Sequence, residues 1–211
     1  MSALVYDADG IRIYHGDCLD LLPALQADVL AFDPPFGTDD HGGYGRRQLG
    51  LQTIANDNDT IVRDAVLRIW GPRTALVFGS PRRAEPPGDW SWRLVWDKGA
   101  PGLGAPWRWA HEMIYCRGEW HNEPGVSSVL RYPPERAMRD RYHPHEKPVP
   151  LMLALLQGTA GTIVDATMGS GSTLVAAREL GRKAIGIEVD PFHVKTAIAR
   201  LAQRSLFGLG A

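Results

Sequence analysis

The run Asp33-Pro34-Pro35-Phe36 joins an acid, two prolines and an aromatic ring directly after the apolar segment 28–32. Successive prolines fix an extended turn and remove two backbone N–H groups. The Asp33 carboxylate and the Pro34 carbonyl can then point the same way as paired acceptors, and Phe36 can supply a flat face beside them. Such a catalytic corner suits a planar ligand with an NH₂ group, whose nitrogen it would position for attack on a methyl group. It needs no metal. Taken on its own, the motif fits a proline turn that closes a strand equally well.

A second candidate site is a glycine turn in the run 162–173, which has a strand, then Gly169 and Gly171, and then a helix. Glycines at this place let the backbone approach a ligand closely, and the start of the helix offers free N–H groups. The run 184–190 predicts a second strand that ends at Glu188, about twenty residues beyond the glycines. An acid at that spacing binds ribose hydroxyls in dinucleotide folds.

Two common nucleotide motifs do not fit this turn. It has no third glycine at the dinucleotide spacing, which disfavours NAD, and no lysine follows Gly171, which excludes a phosphate-binding P-loop. Asp165 can instead face an amino group, and Glu188 can accept both ribose hydroxyls. The pattern therefore favours an adenosine ligand that bears a cation, with a tight turn that binds nothing as the alternative.

Seven short runs of apolar and β-branched residues predict strands that are buried on both faces. Helical spacing lies between several of them, and this alternation predicts an α/β fold with a mostly parallel sheet in one domain, residues 1–211. The predicted strands are 11–15, 28–32, 75–78, 92–96, 112–116, 162–165 and 184–188. The predicted helices are 18–25, 60–70, 148–157, 172–180 and 191–206. Segments 37–59, 81–89 and 98–109 are predicted loops, of the length that usually serves function or stays mobile.

The composition is that of an ordinary globular domain, with 44% hydrophobic and 22% charged residues among 211. No apolar run is long enough to span a bilayer, and the first residues lack the basic start and apolar run of a signal peptide. A cytoplasmic location is therefore expected, in a prokaryote or in the host of a phage. Cys18 and Cys116 are too few for a disulfide framework or a zinc site.

The charge balance argues mildly against a nucleic-acid partner, because proteins that neutralise phosphates tend to be basic and this chain has a net charge of -1. The distribution is less even than the sum. Segment 131–147 has five basic residues against three acidic ones, and it also contains His143 and His145. Further basic pairs stand in predicted loops at Arg46-Arg47 and Arg82-Arg83.

Together these motifs resemble the amino-group DNA methyltransferases in which the catalytic motif precedes the cofactor motif, often called the β class. The resemblance covers most of the chain and rests on segments that occur in the expected order. These segments are 16–22, 33–36, 54–57, 111–118, 143–152, 165–173 and 185–190.

The resemblance implies a Rossmann-like fold of the methyltransferase type, with a seven-stranded sheet that has one antiparallel strand and is flanked by helices. It also implies S-adenosylmethionine as the methyl donor. The expected partner is double-stranded DNA with its target base flipped out, because an amino nitrogen inside the stack cannot reach a buried donor. A homodimer is left open.

The resemblance also assigns roles to individual residues. Asp33 and the Pro34 carbonyl would hold the target amine, and Phe36 would stack on the base beside Pro35. Asp165, Gly169 and Gly171 would contact the methionine part of the donor, Glu188 its ribose and Asp17 its adenine edge. Further donor-binding residues predicted from the same motifs are Lys147, Pro148, Thr167, Ser170 and Asp190.

The chain departs from the family pattern in two places. Ala166 and Thr167 stand where the family usually has Pro and Phe, so an apolar contact to the donor is expected to be lost or replaced by Met168. Segment 119–142 is too short for a full target-recognition domain. A short or loose sequence preference is therefore expected, unless a partner or the tryptophan-rich segment 90–109 supplies the recognition.

The favoured hypothesis is N6-adenine methylation of DNA, because an acid before Pro-Pro is commoner in the adenine enzymes of the family. One alternative is a cytosine-N4 DNA methyltransferase. Others are an RNA or protein-glutamine methyltransferase and a non-catalytic cofactor-binding subunit of a modification complex. The intact Asp33 argues against the last of these. The recognition sequence and any restriction partner are not indicated.

Overall fold

The computed structural model describes residues 2–34, 60–99, 106–121, 125–134 and 146–203, and these form one sheet with helices on both faces. The sheet has nine strands. In order from one edge to the other they are β1 (Ala3–Ala8), β2 (Ile11–His15), β9 (Ala184–Glu188), β8 (Ile163–Asp165), β3 (Val29–Phe32), β4 (Ala75–Gly79), β6 (His111–Arg117), β5 (Trp92–Asp97) and β7 (Val129–Arg131).

Most of the sheet is parallel, as predicted. Strands β2, β9, β8, β3 and β4 run in one direction, and β5 and β7 form a further parallel pair. Strand β6 is antiparallel to both β4 and β5, and it is the one reversed member of the seven predicted strands, all of which are present. The α/β fold class is confirmed, with two strands more than the resemblance implied.

The two additional strands, β1 and β7, gave weak signals in the sequence. Strand β7 has only three residues, and β1 is an edge strand whose side chains are mostly exposed. Strands β1 and β2 pair antiparallel through Asp9 and Gly10, which both have positive φ angles, of 52° and 76°. An Asp-Gly pair between two short runs is a strong hairpin signal, so β1 could have been predicted.

Five α-helices are described, and each falls within a predicted range. They are α1 (Cys18–Leu21), which continues into the 3-10 helix Leu22–Ala24, α2 (Ile61–Trp70), α3 (Val149–Gln157), α4 (Ser172–Glu179) and α5 (Pro191–Ala202). The last three predicted residues of α5 lie outside the described part of the chain. Across the described ranges, the helices lack the length and apolar character that crossing a membrane requires.

Two hydrophobic clusters cover the two faces of the sheet. Successive residues of β3 alternate between them, as the pleat of a strand requires: Val29 and Ala31 belong to one cluster, Leu30 and Phe32 to the other. The first cluster includes residues of α3, α4 and α5, and the second includes residues of α1 and α2. The parallel strands are therefore buried on both sides.

The strand order places a crevice between β8 and β3. From β3 the chain continues to β4 on one side, and from β8 it continues to β9 on the other, so the connections diverge at this point. Open α/β sheets bind ligands at such a switch point, beyond the carboxyl ends of the strands. Because β6 is antiparallel to β4, the first residues of β6 lie beside the carboxyl end of β4.

A substitution at Trp70 tests how tightly the second hydrophobic cluster is packed. It is 1% exposed, its indole N–H donates to the Thr74 carbonyl at 3.1 Å, and the Arg73 guanidinium stacks on its ring at 3.5 Å. We expect Trp70→Ala to lower the free energy of unfolding by about 3–5 kcal/mol in urea titrations, since it leaves a large cavity and removes one of the hydrogen bonds to the Thr74 carbonyl. Trp107 is 82% exposed, and Trp107→Ala should change stability by less than about 0.5 kcal/mol. Similar losses for both variants would contradict this packing.

Candidate active site

Three acids meet at the crevice. Asp165 ends β8, and its register partners are Ala31 on β3 and Gly186 on β9. Asp33 stands two residues beyond Ala31, and Glu188 stands two residues beyond Gly186. The sheet register therefore brings together the two motifs that the sequence separates by more than a hundred residues.

The Asp33 carboxylate has one oxygen paired and one unpaired. Its Oδ2 accepts a hydrogen bond from the Lys147 ammonium at 2.6 Å. Its Oδ1 is buried and has no hydrogen-bond partner among the residues that the structure describes. A buried carboxylate oxygen without a donor is costly, and it marks a place where a ligand donor fits.

The backbone of the predicted corner at Asp33 is also held. The Asp33 carbonyl accepts a hydrogen bond from the Thr167 hydroxyl at 2.9 Å, so a residue of the glycine-turn segment fixes the start of the corner. Pro34 is buried behind it. Pro35 and Phe36, which the sequence assigns to the same corner, lie outside the described residues.

Among the described residues, Lys147 belongs to a partly buried cluster of four charges, in which Glu112 at the start of β6 joins two lysines. The Glu112 Oε2 atom lies 3.3 Å from the Lys147 ammonium, and its Oε1 accepts a hydrogen bond from Lys98 at 2.6 Å. The Lys147 ammonium also lies 4.9 Å from the ring centre of Phe78 and 5.7 Å from that of Trp96. Contacts of this kind favour a desolvated cation.

The protonation of this cluster follows from its pairing. Burial raises the pKa of Asp33, and the Lys147 ammonium opposes that rise. Burial would also raise the pKa of Glu112, but Lys147 and Lys98 outweigh it and lower the pKa. The same two carboxylates raise the pKa of Lys147 against the effect of burial. Lys147 therefore stays charged, and Glu112 stays ionised between two cations.

Sequence analysis did not single out Lys98 or Glu112. It assigned Lys147 to the donor pocket, and that assignment stays a prediction. The structure places the Lys147 ammonium between Asp33 and Glu112. The available signal was a pair of charged residues, one directly after β5 and one at the start of β6. Both lie at the end of the sheet where the carboxyl ends of the parallel strands bring the other acids. Such a signal needs the strand order, which the sequence does not supply.

The glycine turn needs both of its glycines. Gly169 and Gly171 have φ angles of 52° and 84°, in the left-handed region. Gly171 precedes α4, and a Cβ there would lie 2.9 Å from the Cβ of Ala197. A Cβ on Gly169 would meet none of the described atoms within 4 Å, so the turn faces open space at that point.

Glu188 is fixed by the turn. Its Oε2 accepts a hydrogen bond from the Gly169 N–H at 2.9 Å, and its Oε1 accepts one from the Asp190 N–H at 2.8 Å. Each carboxylate oxygen keeps a further acceptor site. The side chain can therefore still accept hydroxyl groups beside the open space at Gly169.

Asp165 is the buried acid beneath the turn. It accepts a hydrogen bond from the Thr167 N–H at 3.1 Å. Burial raises its pKa to about 7, opposed by hydrogen bonds from Thr173 and Thr167. A carboxyl group in this state gains its full charge when a cation is placed beside it, which suits a ligand with an ammonium group.

Arg200, which the sequence analysis missed, ties the glycine turn to the segment before α3. Its guanidinium donates to the carbonyl and hydroxyl of Ser170 at 3.0 and 3.1 Å and to the Ser172 hydroxyl at 3.2 Å. It also forms an ion pair of 2.6 Å with Glu146, and both side chains are buried. Ser170, predicted to contact the donor, therefore uses its hydroxyl to hold the turn.

The remaining predicted site residues lie around this frame. Asp17 and Asp190 are the N-cap residues of α1 and α5, each accepting a backbone N–H at 2.8 Å. Pro148 is buried directly before α3. Met168, expected to replace an apolar donor contact, is only 5% exposed and packs in the core. His143 and His145 lie outside the described residues.

Solved structures that share this fold include three that align with more than nine-tenths of this chain. The M1.HpyAVI–SAM complex has a TM-score of 0.61 at 20% identity, with 92% of this chain and 100% of that chain covered. The cytosine-N4-specific PvuII DNA methyltransferase has a TM-score of 0.69 at 15% identity, with 93% and 88% covered. TTHA0409 of Thermus thermophilus, complexed with S-adenosyl-L-methionine, has a TM-score of 0.57 at 19% identity, with 92% and 95% covered.

Sequence comparison gives the family. A protein of Escherichia coli (strain K12) with the provisional name methylase YubD is 25% identical over 213 aligned residues, which cover 90% of each chain. The family model for DNA methylases of the N6/N4 type matches residues 65–199, more than half of this chain. The glycine turn, Glu112 and Lys147 all fall within that match, and the chain belongs to the N6/N4 DNA methylase family.

Proposed function

We propose that this chain transfers a methyl group from S-adenosylmethionine to the exocyclic N6 of adenine in DNA. The observation that carries the proposal is the buried Oδ1 of Asp33, which lies at the switch point and has no donor among the described residues. An exocyclic amino group supplies the donor that this oxygen lacks. Membership of the N6/N4 DNA methylase family supports the same chemistry.

On the donor side, the residues fit an adenosine that carries an ammonium group. Asp165 would pair with the ammonium, and the open space at Gly169 would let the donor approach the backbone. Glu188 would accept the ribose hydroxyls, and Asp17 would lie at the adenine edge. Pro148, Thr167, Ser170, Gly171 and Asp190 would shape the pocket around them. When bound, S-adenosylmethionine supplies a methyl group on a positively charged sulfur that becomes a neutral thioether on transfer.

On the acceptor side, Asp33 would orient the nitrogen. Its Oδ1 and the Pro34 carbonyl would accept the two amine hydrogens, which draws the nitrogen toward tetrahedral geometry and frees its lone pair. Oδ1 would also receive the proton that the methylated nitrogen releases, and the burial that raises the pKa of Asp33 favours this. Phe36 would stack on the base. A duplex base reaches such a site only when it is flipped out.

The acid at position 33 favours adenine over cytosine, because Ser is commoner before Pro-Pro in the enzymes that methylate cytosine N4. We expect N6-methyladenine when DNA treated with the enzyme and S-adenosylmethionine is digested to nucleosides and analysed by mass spectrometry. N4-methylcytosine in its place would agree with the proposed amine-binding role of Asp33 and Pro34, but it would refute adenine as the target base. Methylation of RNA or protein with no modified DNA nucleoside would refute the DNA substrate.

Asp33 and Glu188 should affect different steps if their assigned roles are right. We expect Asp33→Ala to lower kcat by roughly 10³-fold, the scale of lost proton-transfer and orienting groups. Its Kd for S-adenosylhomocysteine should stay within about threefold of wild type. Glu188→Ala should raise that Kd roughly 10- to 100-fold, as the loss of hydrogen bonds to a charged group predicts. Calorimetry measures both affinities, and a large loss of affinity in Asp33→Ala would place Asp33 in the donor pocket.

Donor affinity should depend on pH through Asp165. The ammonium binds the ionised carboxylate, so donor binding lowers the pKa of Asp165 from its ligand-free value of about 7. Affinity is therefore full above pH 7 and falls as the pH drops below it, by up to about tenfold per unit. Calorimetric titrations of S-adenosylhomocysteine between pH 5 and pH 8, roughly the range that brackets this pKa, measure the effect. Asp165→Asn should bind weakly with a nearly flat profile, and an unchanged slope in that variant would exclude Asp165.

A further inference from the structure

Lys147 has no part in the chemistry proposed above, yet its ammonium contacts the carboxylate on which that chemistry depends. We propose that Lys147, held in place by Glu112 and Lys98, is a positioning residue that occupies Oδ2 of Asp33 and so presents Oδ1 to the target amine. The inference rests on the proposed function of Asp33 and adds a residue that determines how Asp33 is oriented.

The geometry selects one carboxylate orientation. A carboxylate at the end of a strand can rotate about its side-chain bonds, and its two oxygens are then equivalent. Here the Lys147 ammonium binds Oδ2 at 2.6 Å, and the Lys147 side chain is only 7% exposed. With Oδ2 fixed and the Asp33 carbonyl fixed by Thr167, both ends of the residue are restrained. Oδ1 is then the oxygen that faces a ligand.

Lys147 is itself held from two other directions. Glu112 binds it at 3.3 Å and is in turn bound by Lys98 at 2.6 Å, so the ammonium cannot leave Asp33 without separating buried charges. On the preceding residue, Glu146 is paired with Arg200 of α5. The backbone that bears Lys147 is therefore tied to the glycine turn, and its side chain is tied to β6.

A lysine that only neutralises the charge of nearby carboxylates would make the same contacts as one that orients Asp33. The charges of the four-residue cluster allow an experiment that distinguishes these two roles. Asp33 and Glu112 contribute two negative charges, and Lys98 and Lys147 contribute two positive ones. Replacing Lys147 and Glu112 together removes one charge of each sign, so the cluster stays neutral. A purely neutralising lysine is dispensable in that double variant, whereas a positioning lysine is not.

The experiment compares Lys147→Met/Glu112→Gln with wild type and with Lys183→Met, an exposed lysine at the opposite end of β9. We expect the double variant to bind S-adenosylhomocysteine within about threefold of wild type, with an unchanged KM for the donor. Its kcat should fall roughly 100-fold, as a misplaced reacting group predicts. The acid limb of its kcat profile should move to higher pH. The lost ammonium lowers the pKa of Asp33 by its charge and its hydrogen bond, and this outweighs the lost Glu112, whose charge raises that pKa. Wild-type kcat with an unmoved acid limb would overturn the proposal.

A second variant tests the geometry with the charge kept. Lys147→Arg preserves the cation but replaces a compact ammonium with a longer planar group, so the carboxylate must shift. We expect an acid limb close to that of wild type and a kcat lowered roughly tenfold. A kcat equal to that of wild type in this variant would show that charge alone is needed at position 147, and it would overturn the proposal.

A measurement on the ligand-free protein separates this inference from the proposed function. Carbon-13 NMR of the Asp33 carboxyl group, assigned with Asp33→Asn, should give a higher pKa in the double variant than in wild type. If wild type methylates no DNA, the proposed function fails while this titration still tests the contact. If wild type methylates DNA and the two titrations coincide, the positioning role fails and the function stands.

Discussion

The free-energy cost of burying carboxylates at the carboxyl ends of the central strands determines how this site is built. Asp33, Asp165 and Glu112 lose solvent where the strand ends converge, and each is compensated differently. Asp33 is paired with Lys147, and Glu112 is paired with Lys147 and Lys98. Asp165 has hydrogen bonds but no cation among the described residues, so burial raises its pKa to about 7. The strand order places these acids together, and their compensation determines which are satisfied within the protein and which fit a ligand.

The sequence predicted what depends on local pattern. Continuous apolar runs identified all seven central strands, and the glycine turn identified the start of α4. The structure brings together Asp33, Asp165 and Glu188, which the sequence offered as candidate site residues because each follows or ends a buried parallel strand. The family was recognised from the order of short motifs, and the match over residues 65–199 confirms it.

What the sequence missed depends on contacts between distant residues. Glu112 and Lys98 look like ordinary charged residues at strand ends until β6 is known to be reversed and adjacent to β4. Arg200 lies on the amphipathic helix α5, where a charged residue is expected to face solvent. Its ion pair with Glu146 joins two residues that are far apart in the chain. Thr167 was predicted to contact the donor at a position where the family usually has an apolar residue, but its hydrogen bond to the Asp33 carbonyl was not foreseen. In each case the partner is supplied by topology, which periodicity does not encode.

Glu146 and Lys147 are neighbours in the chain, yet they hold opposite sides of the crevice. Glu146 is bound to the arginine that supports the glycine turn, and Lys147 is bound to the Asp33 carboxylate. One peptide bond therefore joins the support of the glycine turn to the support of Asp33. If a ligand on one side changes the affinity for a ligand on the other, thermodynamic reciprocity requires the second to change the affinity for the first by the same factor. This single peptide is the shortest covalent link that the chain could place between the two halves of the crevice.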